Sequence, residues 1–161
     1  MRPEIAHPAD PRLQGTLLEK RFPATYEDVR NTIIEAGQAL EPLNLNDEDL
    51  SSVEIVLAEA LNNVVEHGYS ASGGDIYLKL RRHRAGILIQ IKDWGRPMPG
   101  GRTPAGAHPA TSSRMEHLPE GGYGWFLIRE LARDLIYDRD EGENILIFRL
   151  ALGPEETRAT A

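Results

Sequence analysis

The chain has 161 residues, 40% of them hydrophobic, which is enough apolar material for a single domain with its own core. Its formal net charge of −7 argues against nucleic acid as the main partner, because a phosphate backbone calls for a basic surface. The absence of cysteine excludes disulfides, thiol catalysis and cysteine-ligated zinc; with no long apolar run and no apolar stretch behind Met1-Arg-Pro-Glu4, the sequence predicts a cytoplasmic chain that neither enters nor crosses a membrane.

In chain order, residues 1–14 carry three prolines and little periodicity, and 153–161 are polar; both are expected to be flexible tails around a domain spanning 15–152. Thr16–Phe22 reads as a first strand. Thr25 caps the helix that follows, with Asp28 three residues on, and Val29, Ile33, Ala36 and Leu40 share a face until Pro42 ends it. Asn46-Asp-Glu-Asp49 opens a second helix with acidic residues where the macrodipole favours them. Its buried stripe runs from Leu50 through Val53, Val56, Leu57, Ala60 and Leu61 to Val64, and Gly68 stops it. Asp75–Leu80 and Gly86–Ile91 alternate as two strands of a hairpin turning through Arg84-Ala-Gly86.

From Gly95 to Gly124 the chain holds seven glycines and five prolines without periodicity, too long for an ordinary connection, and reads as a lid or a disordered segment. Trp125–Arg133 is a third helix, and Leu135–Tyr137 and Ile145–Leu150 close the chain as a hairpin around Asp140-Glu-Gly142. This order predicts an α+β (α/β) two-layer sandwich: a mixed, mostly antiparallel sheet with about three helices on one face.

Three segments carry the chemistry. On the second helix Glu59, Asn63 and Glu66 stand at i, i+4 and i+7, opposite the apolar stripe. Any solvated face would look similar, but Asn62-Asn63 is a pair of poor helix formers in mid-helix. An asparagine there can give magnesium a neutral oxygen ligand, and Glu59, one turn away, can take a proton from an attacking hydroxyl. Asp93-Trp-Gly95 ends a strand, where an aspartate either shapes the turn or accepts from an amino group. Gly121-Gly-Tyr-Gly124 precedes the third helix, where flexible backbone exposes N–H groups to an anion or simply acts as a hinge.

The order E-x-x-x-N-x-x-x-H-G-Y, D-x-G and G-x-G resembles the N, G1 and G2 boxes of the GHKL (Bergerat) ATP-binding superfamily, and within it the chain is most similar to the anti-sigma-factor serine kinases. The likeness spans about Leu17 to Leu150. It implies ATP with Mg2+ as cofactor, Asn63 as the magnesium ligand beside the phosphates, Glu59 as catalytic base and Asp93 as the acceptor for the adenine amino group. Gly95 would let the backbone approach the base. Gly122 and Gly124 would contact phosphate from the end of the 95–124 lid, with Tyr123 between them in the nucleotide-binding set. The resemblance also implies a homodimer whose partners are a sigma factor, held by sequestration, and a STAS-domain antagonist, phosphorylated on serine. The alternative is a binding module that sequesters a protein without useful kinase activity. Two departures stand out: Arg96-Pro97-Met98 follows the D-x-G where many relatives have a further glycine, and Glu120 lies near a position that is basic in some relatives.

Overall fold

The computed structural model describes residues 11–105 and 122–153. Eight main elements follow in order: β1 (Leu13–Pro23), α1 (Tyr26–Leu40), α2 (Asp47–Asn63), β2 (Asp75–His83), β3 (Gly86–Asp93), α3 (Gly122–Leu131), β4 (Ala132–Asp140) and β5 (Glu143–Leu150). The strands form one sheet in the order β1-β2-β3-β5-β4. A mostly antiparallel sheet was expected, and every ladder among the described residues is antiparallel.

Alternation builds the core. Ile76, Leu78 and Leu80 of β2, Ile87, Ile89 and Ile91 of β3, and Leu146, Phe148 and Leu150 of β5 are all buried. They form one cluster with Val29, Ala36 and Leu40 of α1, the stripe of α2, and Trp125 and Ile128 of α3. Intervening positions such as Tyr77, Lys79, Gln90, Lys92 and Ile147 are only partly buried, which marks the other face of the sheet.

Both long helices start as their sequences dictate. Thr25 Oγ1 accepts from the Asp28 backbone N–H at 3.1 Å, and Asn46 Oδ1 accepts from that of Asp49 at 2.7 Å. Such caps are worth about 1 kcal/mol each. Pro42 falls in a 3-10 turn, Glu41–Leu43, that ends α1. The second helix does not run evenly to Gly68: after Asn63 it widens into a π turn, Val64–Gly68, which the 3.6-residue pattern gives no reason to expect.

Near the C-terminus, α3 starts at Gly122 rather than Trp125, and β4 begins three residues before Leu135. A bulge between Arg133 and Ile136, with Asp134 at φ 55°, interrupts the alternation that would have marked the longer strand. Of the 95–124 lid, residues 106–121 lie outside the described residues, as do Glu120 and most of both expected tails.

Candidate nucleotide-binding site

The site is made where two buried rows of the sheet turn polar. In β3 the inward positions read Ile87, Ile89, Ile91, Asp93; in β5, read backwards, they read Leu150, Phe148, Leu146, Asn144. The antiparallel register sets Asp93 directly opposite Asn144. Both are buried, with 8% and 5% of their surface exposed. Burying a polar group is costly unless it is bonded, and these bond each other: Asn144 Nδ2 donates to Asp93 Oδ1 at 2.8 Å. The Gly95 N–H donates to the same oxygen at 2.9 Å. Asp93 Oδ2 has no hydrogen-bond partner among the described residues. Burial pushes the Asp93 carboxyl above the ordinary aspartate range, against the opposing pull of the Asn144 and Gly95 hydrogen bonds and the Arg139 charge.

The chain leaving β3 is strapped down. Asn144 Nδ2 also reaches the carbonyls of Arg96 at 3.0 Å and Gly95 at 3.3 Å, and Arg139 donates to the Gly95 carbonyl at 3.0 Å. The Arg96 N–H donates to the Gly68 carbonyl at 2.6 Å. A β-carbon on Gly95 would lie 2.2 Å from that carbonyl oxygen, so only glycine lets the two backbones meet. The Trp94 N–H donates to Tyr69 Oη at 2.8 Å, and that of Met98 to Tyr137 Oη at 3.0 Å. Farther on, Arg129 of α3 donates to the carbonyls of Pro104 (2.7 Å) and Thr103 (3.1 Å). The first part of the expected lid is thus a tied strap.

The opposite wall comes from α2. Asn63, Glu66 and His67 line a cavity of about 610 Å³ together with Asp93, Asn144 and Trp125. That volume suits a nucleotide-sized ligand. The π turn brings Glu66 and His67 to this wall together; Glu66 also accepts from Tyr26 Oη at 3.1 Å. Asn63 Nδ2 is buried without a hydrogen-bond partner, an uncommon state for a side-chain amide. An amide held by nothing can turn its oxygen toward a cation. Among the described residues no cluster of three His, Asp or Glu could hold a metal alone. A single amide oxygen from Asn63 fits Mg2+, which keeps waters and takes phosphate oxygens besides one or two protein ligands.

Glu59 does not line this cavity. It lies against the first turn of α3, where a β-carbon on Gly124 would come within 2.2 Å of Glu59 Oε2. Gly122, Tyr123 and Gly124 all belong to that turn; the Tyr123 ring is exposed and stacks on Phe126 with centroids 6.0 Å apart.

Of the residues singled out in the sequence, Asn63 and Asp93 thus face one cavity, Gly95 supports its base-side corner, and Glu59 and Gly124 meet beside it. Sequence reasoning missed Asn144, Tyr137, Arg139 and Arg129. A signal for Asn144 existed: it extends by one step, as the one polar residue, the inward row 146, 148, 150 of the strand expected at Ile145–Leu150, which in the structure begins at Glu143.

A five-stranded antiparallel sheet under three helices, with an aspartate at the end of a central strand and an unpartnered asparagine across the cavity, defines an ATPase-type domain of the histidine-kinase kind. Residues 22–150 match the family described as Histidine kinase-like ATPase domain, and the chain belongs to that family. It is similar to proteins named Serine-protein kinase RsbW from Bacillus cereus (strain AH820) and Bacillus anthracis (strain A0248), 27% identical in each case over 131 residues, 81% of this chain and 82% of the relative. Its fold matches a crystal structure of the RsbU and RsbW domains of a Mycobacterium tuberculosis protein, with a TM-score of 0.54 and 14% identity over 85% of this chain. The chain spans only 33% of that longer protein.

Proposed function

We propose that the chain is an ATP-dependent protein serine kinase and anti-sigma factor, one that sequesters a sigma factor and phosphorylates a serine of a STAS-domain antagonist. The observation that carries this reading is the pairing, across one cavity, of a buried carboxylate with one oxygen unused and a buried asparagine amide with no partner. Asp93 Oδ2 would accept the amino group of adenine. Asn63 would turn its side-chain oxygen to Mg2+, which when bound supplies charge neutralisation at the phosphates. The first turn of α3, with Gly122, Tyr123 and Gly124, would offer backbone N–H groups to the phosphates.

In the transfer, the serine oxygen forms a bond to the terminal phosphorus, the bond from that phosphorus to the bridging oxygen breaks, and ADP leaves. Glu59 accepts the serine proton. The homologues named as serine-protein kinases support this choice, and so does the presence of a carboxylate one turn before Asn63. A homodimer acting in the cytoplasm belongs to the same proposal; no helix among the described residues is long and apolar enough to cross a membrane.

A second reading, a sequestering module without useful kinase activity, draws on one observation: Glu59 rests on α3 instead of lining the cavity. One experiment separates them. Incubated with Mg-ATP and the STAS protein encoded nearest its gene, the purified chain should leave phosphoserine on that protein, detected by mass spectrometry. Tight partner binding with no phosphoserine would favour the module.

A further inference from the structure

We infer that Asn144 is the positioning residue that sets the base selectivity of this site: it holds Asp93 so that a single carboxylate oxygen is left to receive a purine amino group. The inference rests on the nucleotide-site reading above and assigns a role that neither the motifs nor the family likeness supplied.

The amide of Asn144 has no choice of orientation. Arg139 donates to its Oδ1 at 2.5 Å, and a guanidinium can only donate. Tyr137 Oη donates to the same oxygen at 2.7 Å and takes the Met98 N–H in return. The NH2 end must therefore face inward. There it meets three acceptors, Asp93 Oδ1 and the carbonyls of Gly95 and Arg96.

Every hydrogen-bonding position of the amide is used, so the side chain is locked. Asp93 Oδ1 in turn is filled by Asn144 and the Gly95 N–H, which leaves Oδ2 as the free acceptor. An unpaired acceptor facing the cavity, once a ligand covers it, selects a ligand that presents a donor at that point and rejects one that presents an oxygen. The selected class is thus a 6-aminopurine nucleotide over a 6-oxopurine nucleotide.

Asn144→Asp is the informative change, because it keeps the shape and the acceptors for Tyr137 and Arg139 but removes the donor. It sets a second carboxylate against Asp93, and two such groups sharing a site hold one proton between them. The other charged or titratable groups nearby are Arg139 and Tyr137 of β4, the Lys92–Glu143 ion pair at 2.8 Å, Tyr69, and Arg96, Glu66 and His67 on the cavity. All are common to both proteins, so the difference between variant and wild type isolates the new carboxyl.

The experiment is calorimetric titration of the full chain with Mg-ADP and Mg-IDP. Wild type should prefer ADP. Near neutral pH, Asn144→Asp should lose about tenfold or more in ADP affinity, as expected for a lost hydrogen bond to a charged group, with IDP binding little changed. Acidification from about pH 8 to about pH 6 should restore ADP binding to the variant, because the added proton makes Asp93's new neighbour a donor again. A variant too unstable to titrate leaves Arg139→Met, an exposed substitution, which should shift the ADP-to-IDP ratio the same way by a smaller factor.

Equal losses for both nucleotides, or an unchanged ratio in both variants, would overturn the positioning role while leaving the nucleotide site intact. A wild type that binds neither nucleotide would overturn the site itself and this inference with it.

Discussion

The two ends of the cavity are built differently. At the base end, Asp93, Asn144, Arg139, Tyr137 and the 95–98 strap are held by a connected set of hydrogen bonds that leaves one acceptor, Asp93 Oδ2, open. At the helix end, the Asn63 amide has no partner and the Glu59 carboxylate rests against Gly124. The base end is already arranged for its ligand, and its binding cost is low. In the proposed function, the helix end would gain its missing contacts only when a ligand and its cation arrive. A buried, unsatisfied amide costs stability, and in the proposed function that cost at Asn63 is offset when the cation binds.

The largest effect should come from the helix end. Glu59→Gln keeps size and hydrogen bonding but removes the base, and phosphotransfer to the STAS partner should fall by about 10²- to 10⁴-fold while ATP and sigma-factor binding survive. Radiolabel transfer measures the first, calorimetry the second. Wild-type transfer rates in this variant would show that the base lies elsewhere.

Gly124→Ala sharpens the same contrast. The added methyl group meets the far end of the flexible Glu59 side chain, so the carboxylate moves and the helix stays. Transfer should drop by about 100-fold, the scale of a misplacement of about 1 Å. Stability in urea should hold or rise by up to about 1 kcal/mol, since alanine is the better helix former. Lost stability with unchanged transfer would contradict the contact.

Gly95→Ala does the reverse, because its methyl group meets backbone, the Gly68 carbonyl, and nothing flexible can yield. A loss of about 1–3 kcal/mol in urea denaturation is expected, together with weaker ATP binding. A variant as stable as wild type would mean that the strap is not held as described.

The smallest effect is in pH. Folding raises the Asp93 pKa, so the protonated form is the one folding favours: this group's contribution to stability is present at low pH and lost as pH rises through the raised value. Binding runs the other way, because the ligand amino group needs the ionised carboxylate. ATP affinity should therefore begin to fall on acidification at a higher pH than an ordinary aspartate would give. Affinity that stays flat down to the ordinary aspartate range would count against Asp93 as the acceptor.

The comparison also explains what could be read in advance. Caps at Thr25 and Asn46, the buried stripe of α2 and the two hairpins are local, and periodicity and turn chemistry reveal local features. Asn63 and Asp93 stood out because each breaks its surroundings, as an asparagine pair in a helix and as an aspartate ending an isoleucine row. Asn144 did not, because it fell just before the strand expected at Ile145–Leu150 and because its meaning depends on a register that pairs residues 51 positions apart. The Glu59–Gly124 contact depends on the packing of α2 against α3, and the π turn after Asn63 has no counterpart in the helical period. Pairing and packing, not propensity, finish the site.

The nucleotide site is tested most directly by melting the wild-type chain with and without Mg-ATP, beside Asn63→Ala and Asn62→Ala. At a concentration about 100 times the dissociation constant, binding to the native state alone adds roughly 2.7 kcal/mol. Wild type and Asn62→Ala should show a magnesium-dependent rise in melting temperature that Asn63→Ala largely loses. A wild-type melting curve unmoved by millimolar Mg-ATP, or equal losses in the two variants, would contradict a site whose open end is Asn63.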